Sequence, residues 1–419
     1  MSITGIKGMN DILPGEVETW QFLESEAHRI FKLYGFGEIR VPVVEKTDLF
    51  CRSIGESTDI VEKEMYTFED RSNNSLTLRP EGTAPVMRAF IEHKLHALDP
   101  VSKLYYMGPM FRYERPQKGR YRQFHQIGAE AVGVDDPMMD AQVLAMLCHY
   151  FEAVDIDKVE LHINSLGCQD CRPQYRQALT SYLDSRLQAL CADCQRRYQT
   201  NPLRVLDCKV PTCQEATADA PSVLDLLCSG CNEHFNQVQQ HLKNLHINYT
   251  INPRMVRGLD YYTKTTFEMV TNQLGSQNAV AAGGRYDGLI KDLGGPALPG
   301  IGFAMGVERL VMMKGEQRIQ PPRLDVFLAA LGEAAGMEAF AIMHRMQHLG
   351  LGCDMAFAGK SLKAQMRRAG KLNARYVLIL GEEELASGQA QLRDMDDGSQ
   401  TPIALAGIEQ ALLEKCTNN

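Results

Sequence analysis

Five basic side chains crowd residues 107–128, MGPMFRYERPQKGRYRQFHQIG: Arg112, Arg115, Lys118, Arg120 and Arg122, against the single acid Glu114. Apolar and aromatic runs flank them, and Pro116 and Gly119 sit where a chain reverses. The pattern predicts a long antiparallel hairpin with a cationic tip. Guanidinium groups are permanently charged and donate bidentately, so such an arm suits a phosphate-rich ligand. A solvated basic loop is the other reading of a charge run.

Other residue types could complete a site. In RPEGTAP, residues 79–85, Glu81 and Thr83 fall where a helix begins. They either cap free backbone N–H groups or, for Glu81, face a pocket and bind a ligand ammonium. RGLDYY (residues 257–262) and GGRYDG (residues 283–288) surround strand-like stretches at 248–252, 265–271 and 279–282. Glycines there let backbone approach a ligand closely, while paired tyrosines read first as core or interface. GIGFAMG, residues 300–306, runs into a helix at 307–314 that carries Arg309. Its spacing is not the dinucleotide fingerprint, and Asp354 stands where a phosphate loop ending in Lys360 and Ser361 needs glycine.

Twelve cysteines point to metal or to ordinary buried thiols rather than to disulfides in a cytoplasmic chain. Eight of them form pairs between residues 165 and 247. Cys168, Cys171, Cys191 and Cys194 spell C-x2-C-x19-C-x2-C, within the range of a four-thiolate structural zinc site. Cys208, Cys213, Cys228 and Cys231 are a looser match. Reduced thiols that only fill the interior are the alternative.

Elements must position these groups. Residues 16–33 are amphipathic at helical spacing, with Trp20, Leu23, Ala27, Ile30 and Phe31 on one face, and a strand at 36–41 follows. A helix is expected over 140–153. Residues 165–247 are polar and helical in pattern and interrupt the strands as an insertion. Gln320, Pro321 and Pro322 form a linker, after which strands at 325–330, 353–356, 376–380 and 389–394 alternate with helices at 333–349, 361–372 and 408–415. Lys360, Lys363, Arg367 and Lys371 share a face of the middle helix, a solvated surface or a nucleic-acid contact. The net charge is 44 − 52 = −8, which does not exclude nucleic acid, because a local basic face sets the contact. Long apolar runs and a secretory pattern are absent, so no membrane span and a cytoplasmic location are expected.

Taken together, FRYERPQKGRYRQFHQIG, RPEGTAP, RGLDYY, AGGRYDGL and GIGFAMGVERL resemble the signature segments of the bacterial histidyl-tRNA synthetases, which are class II aminoacyl-tRNA synthetases, and GMNDILP near the N-terminus fits as well. The resemblance spans the chain. It implies an α+β protein: a class II antiparallel-sheet catalytic domain (residues 1–164 and 248–317), a mostly helical cysteine-rich insertion (165–247) and a C-terminal α/β anticodon-binding domain (323–419). It implies a homodimer, formed largely through residues 16–42, that uses ATP with Mg2+ to join L-histidine to tRNA(His) through a histidyl-adenylate.

By the same resemblance Arg257 and Arg112 are catalytic at the α-phosphate, and Arg120 and Arg309 also engage ATP. Glu81, Gly82, Thr83 and Gln126 address the histidine ammonium side. Glu130 and Tyr262 address its ring, with Tyr261 and Tyr286 shaping the cavity. Arg115, Gln117, Lys118, Lys360, Lys363, Arg367 and Lys371 are tRNA contacts. Zinc does not follow from the resemblance and rests on spacing alone. The competing reading is the non-aminoacylating paralogue that serves as a regulatory subunit of ATP phosphoribosyltransferase. It lacks an anticodon module, whereas residues 323–419 look like a complete one.

Overall fold

Alternation with period two builds the main sheet. In QFHQIGAEAV the odd positions Ile127, Ala129 and Ala131 are apolar, and in GIGFAMG so are Ile301, Phe303 and Met305. Successive strand side chains point to opposite faces, so each run offers one apolar face and one polar or glycine face. The computed structural model describes residues 3–55, 58–256, 259, 261–274, 278–317, 319–357 and 359–417. It divides into Met1–Ile319 and Gln320–Asn419.

The first unit lays down β1 (Gly37–Glu38) and a small three-stranded sheet of β2 (Val44–Lys46), β3 (Tyr66–Glu69) and β4 (Ser75–Leu78). The hairpin β5 (Ser102–Phe111) and β6 (Gln123–Val132) follows, then β7 (Glu160–Ser165), β8 (Thr250–Ile251), β9 (Thr263–Val270), β10 (Ala279–Arg285) and β11 (Gly300–Gly306). These form an eight-stranded sheet in the order β1-β5-β6-β11-β10-β9-β7-β8. Its six central strands pair antiparallel, and the two edges, β1 on β5 and β8 on β7, are parallel.

The odd face of this sheet carries the core. Ile127, Ala129, Phe267, Ile301, Phe303 and Met305 meet Leu23, Ala27, Ile30 and Phe31 of the helix Val17–Leu33, and Leu144, Leu147 and Tyr150 of the helix Pro137–Ala153. Each such large side chain stabilises the fold by about 1.5–3 kcal/mol. A one-residue slip would reverse both faces, so this burial pins the register. The stripe expected on residues 16–33 is the one buried. The strand expected at 36–41 shrinks to β1. Only one side of it meets the sheet, and Pro42 has no N–H to continue a ladder. The glycine run expected only to lead into a helix is itself strand β11, which the alternation of Ile301, Phe303 and Met305 foretells.

The insertion has a small core of its own, with Tyr175, Leu179, Leu183, Leu190, Val205 and Val223. Its last helix, Ser229–Asn244, instead sends Phe235, Val238 and Leu242 into the main core. A buried charge cluster marks that junction. Arg285, fully inaccessible, donates to Asp140 Oδ1, and His234 Nε2 lies 2.8 Å from Asp140 Oδ2. Arg285 also donates to Asp287 at 3.1 Å and to the Val134 carbonyl at 2.7 Å.

The second unit holds β12 (Val326–Ala330), β13 (Cys353–Met355), β14 (Tyr376–Leu380), β15 (Gln389–Asp394) and β16 (Gln400–Ala404), ordered β13-β12-β14-β15-β16. The first three are parallel and the last two antiparallel. Helices Glu333–His348, Leu362–Lys371 and Ile408–Thr417 lie where expected. The strand β16 and the short helix Glu382–Ser387 were not foreseen, because both are polar and lack a clear apolar period.

Candidate active site

The even face of the main sheet is built for a ligand. Register places Glu130, Gly128 and Gln126 of β6 beside Gly302, Ala304 and Gly306 of β11. Next come Gly284 and Ala282 of β10, then Thr266 and Glu268 of β9. Small residues at the centre leave a floor, and polar ones stand at its rim. Part of the face is closed by the helix Thr83–Glu92 with Tyr106, Tyr261, Tyr262 and Tyr286. The remainder is a cleft of about 400 Å³ whose lining includes Glu81, Thr83, Arg112, Arg120, Gln126 and Arg309. Tyr261 and Tyr262 also line it, with ring centroids 4.7 Å apart. Gly283 lies on the opposite face, where a Cβ would meet Phe267 and Phe303.

Three arginines from three places converge there. Arg112 follows β5, donates from Nε to the Pro80 carbonyl at 2.9 Å and lies over the Phe124 ring at 5.3 Å. Arg120, on the returning arm, contacts Glu114 and is 3.8 Å from Glu64. Arg309, in the first turn of the helix Val307–Lys314, donates to the carbonyls of Gly119, at 3.4 Å, and Ala279. Burial lowers the Arg309 pKa, and the neighbouring charges of Arg120 and Arg112 lower it further. Such a cluster suits an anion, since a phosphate would relieve both the repulsion and the desolvation, and the carboxylates of Glu114, Glu268 and Glu308 share the lining and offset part of the charge.

The carboxylates are held by short contacts. Glu81 accepts from the backbone N–H groups of Thr83 at 2.6 Å and Ala84 at 2.9 Å, so it caps the helix and lines the cleft at once. Burial raises its pKa, partly offset by those two N–H groups and by Arg112. Glu130 is fully inaccessible. It accepts from Thr83 Oγ1 at 2.7 Å and from the Tyr286 hydroxyl at 2.6 Å. Burial pushes its pKa up to about 8, the two hydroxyls pull it down and Glu81 pushes it up. Gln126 Oε1 is buried with no hydrogen-bond partner among the described residues, and Gln126 is part of the cleft lining.

Gly82 belongs to this site by subtraction. A Cβ there would lie 2.1 Å from the Tyr106 ring, and one on Gly302 would lie 1.8 Å from Glu130 Oε2. Arg257 lies outside the described residues. The exposed Arg115, Gln117 and Lys118 form the tip beyond the cleft, with a β-bridge between Gln117 and Arg120. Lys360, Lys363, Arg367 and Lys371 are all exposed in the second unit, while Gln365 and Ala369 turn inward. Beside Lys360 lies a concavity lined by Met337, Phe340 and Phe357, which are exposed apolar side chains. Reading the sequence missed these three, and also Phe124, Glu268 and Glu308 in the cleft, because each looks like ordinary strand or helix until partners from distant segments arrive.

The cysteine grouping needs correction. Cys168, Cys171, Cys191 and Cys194 do not form one quartet. Cys168 and Cys171 meet Cys228 and Cys231, and Cys191 and Cys194 meet Cys208 and Cys213. Sequence order misleads here because Cys228 and Cys231 return at the end of the insertion, beside its beginning.

A six-stranded antiparallel core with an arginine-bearing cleft on one face, followed in the chain by an α/β module, is the architecture expected of a class II aminoacyl-tRNA synthetase. A family model described as histidyl-tRNA synthetase matches residues 8–310, and one described as an anticodon binding domain matches residues 325–415. A curated histidine--tRNA ligase from Syntrophotalea carbinolica is 87% identical over 419 residues, the whole of both chains. One from Geobacter sulfurreducens is 64% identical over 98% of this chain and 99% of its own. The solved apo S. aureus histidyl-tRNA synthetase shares 36% identity at a TM-score of 0.83, covering 98% of this chain and 100% of its own. The chain belongs to the histidyl-tRNA synthetase family. Full-length identity to ligases at this level does not favour the regulatory-subunit reading.

Proposed function

We propose that this chain joins L-histidine to tRNA(His) in two steps at the cleft described above. In the first, the histidine carboxylate attacks the α-phosphorus of ATP, giving histidyl-adenylate and pyrophosphate. In the second, a terminal ribose hydroxyl of tRNA displaces AMP. The substrate carboxylate is the nucleophile, so the protein supplies in-line positioning and charge stabilisation. The observation that carries this reading is the convergence of Arg112, Arg120 and Arg309 on one cleft beside the unpaired acceptor of Gln126.

Arg112 takes the α-phosphate and carboxylate side, Arg309 the outer phosphates, and Arg257 the far side of the α-phosphate, while Arg120 also engages ATP. Glu81, Thr83 and Gln126 receive the ammonium. Glu130 and Tyr262 address the imidazole, whose two ring nitrogens need separate partners. A magnesium ion travels with ATP, and Glu268 in the cleft lining would supply a hard oxygen donor of the kind that ion takes. Catalysis belongs to residues 1–164 and 248–317, acceptor-end contacts to Arg115, Gln117 and Lys118, and the anticodon to residues 323–419. There, Lys360, Lys363, Arg367 and Lys371 meet phosphates, and Phe340 and Phe357 offer faces for stacked bases.

We place the working protein in the cytoplasm as a homodimer. Among the described residues no helix is long and apolar enough to cross a membrane. Because the helix Val17–Leu33 buries its apolar stripe in its own core, the partner would meet its other side, including Leu33, 64% exposed, and the open edge of β1.

Histidine-dependent exchange of pyrophosphate into ATP tests the activity. Exchange driven by histidine alone among the amino acids is expected. Exchange with a different amino acid would refute the specificity, and none at all would favour a regulatory role. Arg257→Ala should lower exchange far more than ATP binding, and equal losses would remove its transition-state role.

A further inference from the structure

The insertion contains two separate groups of four cysteines. In the first, Cys168 Sγ lies 3.7 Å from Cys171 Sγ and 3.9 Å from Cys228 Sγ, with Cys231 completing the set. In the second, Cys191 Sγ lies 3.9 Å from Cys208 Sγ, with Cys194 and Cys213. Within each group all four sulfurs lie within 4.8 Å of one another.

These separations exclude a disulfide and leave two states, hydrogen-bonded thiols or thiolates gathered on one ion. A disulfide would bring two sulfurs to about 2.05 Å. Four thiolates around one zinc, each about 2.3 Å from it, form a tetrahedron with edges of about 3.8 Å. The sulfur–sulfur separations of 3.7–3.9 Å match that edge, and a polynuclear iron–sulfur core does not fit among sulfurs this close. Backbone donors complete the sites. The Cys228 N–H points at Cys171 Sγ at 3.2 Å, and the Cys191 N–H at Cys213 Sγ at 3.1 Å. Such outer partners hold thiolate charge and orient the ligands. Cys191 and Cys228 also stand at the N-caps of the helices Ala192–Thr200 and Ser229–Asn244, and Cys171 opens Cys171–Asp184, where free N–H groups favour thiolate. Gly167 makes room for the first group, since a Cβ there would lie 2.7 Å from Cys171 Cβ.

We infer that the insertion binds two structural zinc ions, one held by Cys168, Cys171, Cys228 and Cys231 and the other by Cys191, Cys194, Cys208 and Cys213. Each quartet loses four thiol protons as it takes up one ion, leaving a closed tetrathiolate with no position for substrate. The two sites do different things. The first ties the place where the chain leaves β7 to the start of the helix that returns it to the main core, closing a loop of about sixty residues that a folded metal site stabilises. Gln169 and Arg172, between and beside its first two ligands, line a cavity that shares Leu259 and Tyr262 with the active-site cleft. The second sits inside the insertion's own small core and substitutes for apolar bulk there.

The test is metal analysis of the full chain purified without chelator. Two equivalents of zinc per chain are expected; one or none overturns the proposal, and iron in place of zinc overturns the ion's identity. Paired substitutions read the grouping. Cys171→Ser with Cys231→Ser should remove one equivalent, whereas Cys171→Ser with Cys194→Ser should remove both. The opposite result would restore the grouping by sequence order. Should a variant not fold, cobalt-loaded wild type keeps the question open to measurement. Two equivalents with intense sulfur-to-cobalt charge transfer and tetrahedral ligand-field bands support the sites, and octahedral spectra refute them. Alkylation of the native protein adds a readout independent of the metal's identity. All eight insertion cysteines should be protected and then released in the two sets of four as chelator strips each ion, whereas immediate labelling of all eight refutes both sites.

Discussion

Tyr286 donates its phenolic proton to Glu130 Oε2 across 2.6 Å, at a carboxyl that solvent does not reach. Burial lifts that carboxyl to about 8, well above an unfolded glutamate. Its stabilising contribution is therefore fully present below the unfolded pKa, near 4.3, and declines as pH rises through about 8. Unfolding free energies measured by denaturant titration across that window should fall with a slope of about 1.4 kcal/mol per pH unit from this group. Glu130→Gln should remove that component of the slope, and an unchanged profile would assign it elsewhere. Tyr286→Phe deletes a hydrogen bond that favours the ionised form, so the decline should extend to higher pH.

Gly302→Ala tests the floor of the cleft. Its Cβ would lie 1.8 Å from Glu130 Oε2 and 2.5 Å from the Ala129 carbonyl. Overpacking of this kind costs about 1–3 kcal/mol. Displacement of Glu130 should raise the KM for histidine more than tenfold, a loss of about 1.4 kcal/mol or more, and leave that for ATP nearly unchanged. Equal changes in both constants would mean a general loss of structure.

Arg309→Gln keeps hydrogen-bonding atoms but removes the charge that faces Arg112 and Arg120. Removing one preorganised stabiliser of developing charge slows the chemical step by about 10²–10³. Pyrophosphate exchange should fall by that order with the thermal midpoint preserved. A variant with wild-type exchange would take Arg309 out of the phosphate site.

Arg285→Met strands Asp140, which is fully buried and whose other side-chain partner among the described residues is His234 at 2.8 Å. Breaking a buried pair from one side costs about 3–5 kcal/mol. Urea unfolding should show that loss, and Asp140→Leu added to Arg285→Met should recover much of it. Failure to recover would mean that His234 depends on the aspartate, or Asp287 on the arginine, as strongly as the pair does on itself.

Lys363→Glu with Arg367→Glu reverses two exposed charges on the helix Leu362–Lys371. Binding of tRNA should weaken and its dependence on salt should flatten, because fewer counterions are released. Histidine-dependent exchange should not change. A variant that binds tRNA as tightly as wild type would make this face a solvated one.

Much of the scaffold was legible in the residues themselves. The apolar stripe from Trp20 to Phe31, the hairpin around Pro116 and Gly119, and the α/β alternation after Pro322 are local periodicities, and local periodicity is what a sequence displays directly. The motif arginines and Glu81 were legible through their neighbours. The double role of Glu81 was not, because a cap and a cleft wall look alike until the helix Thr83–Glu92 is seen to start at the cleft. Gly82 and Gly302 were visible as glycines, but their purpose depends on Tyr106 and Glu130, which come from other strands. Polar edges such as β16 left no period to read.

What the sequence determined alone was most of the longer elements, the charge placed at the hairpin and the family the chain belongs to, since these rest on order and spacing along one chain. The tertiary structure decided which groups meet. It put Glu130 under Thr83 and Tyr286, set Arg309 against Arg112 and Arg120 of the hairpin, and joined Cys168 and Cys171 to Cys228 and Cys231 rather than to Cys191 and Cys194. The reason is physical. A strand or helix forms from neighbours a few residues apart, whereas a site forms where chain closure brings together groups separated by tens to hundreds of residues, and sheet register, not spacing, sets those distances.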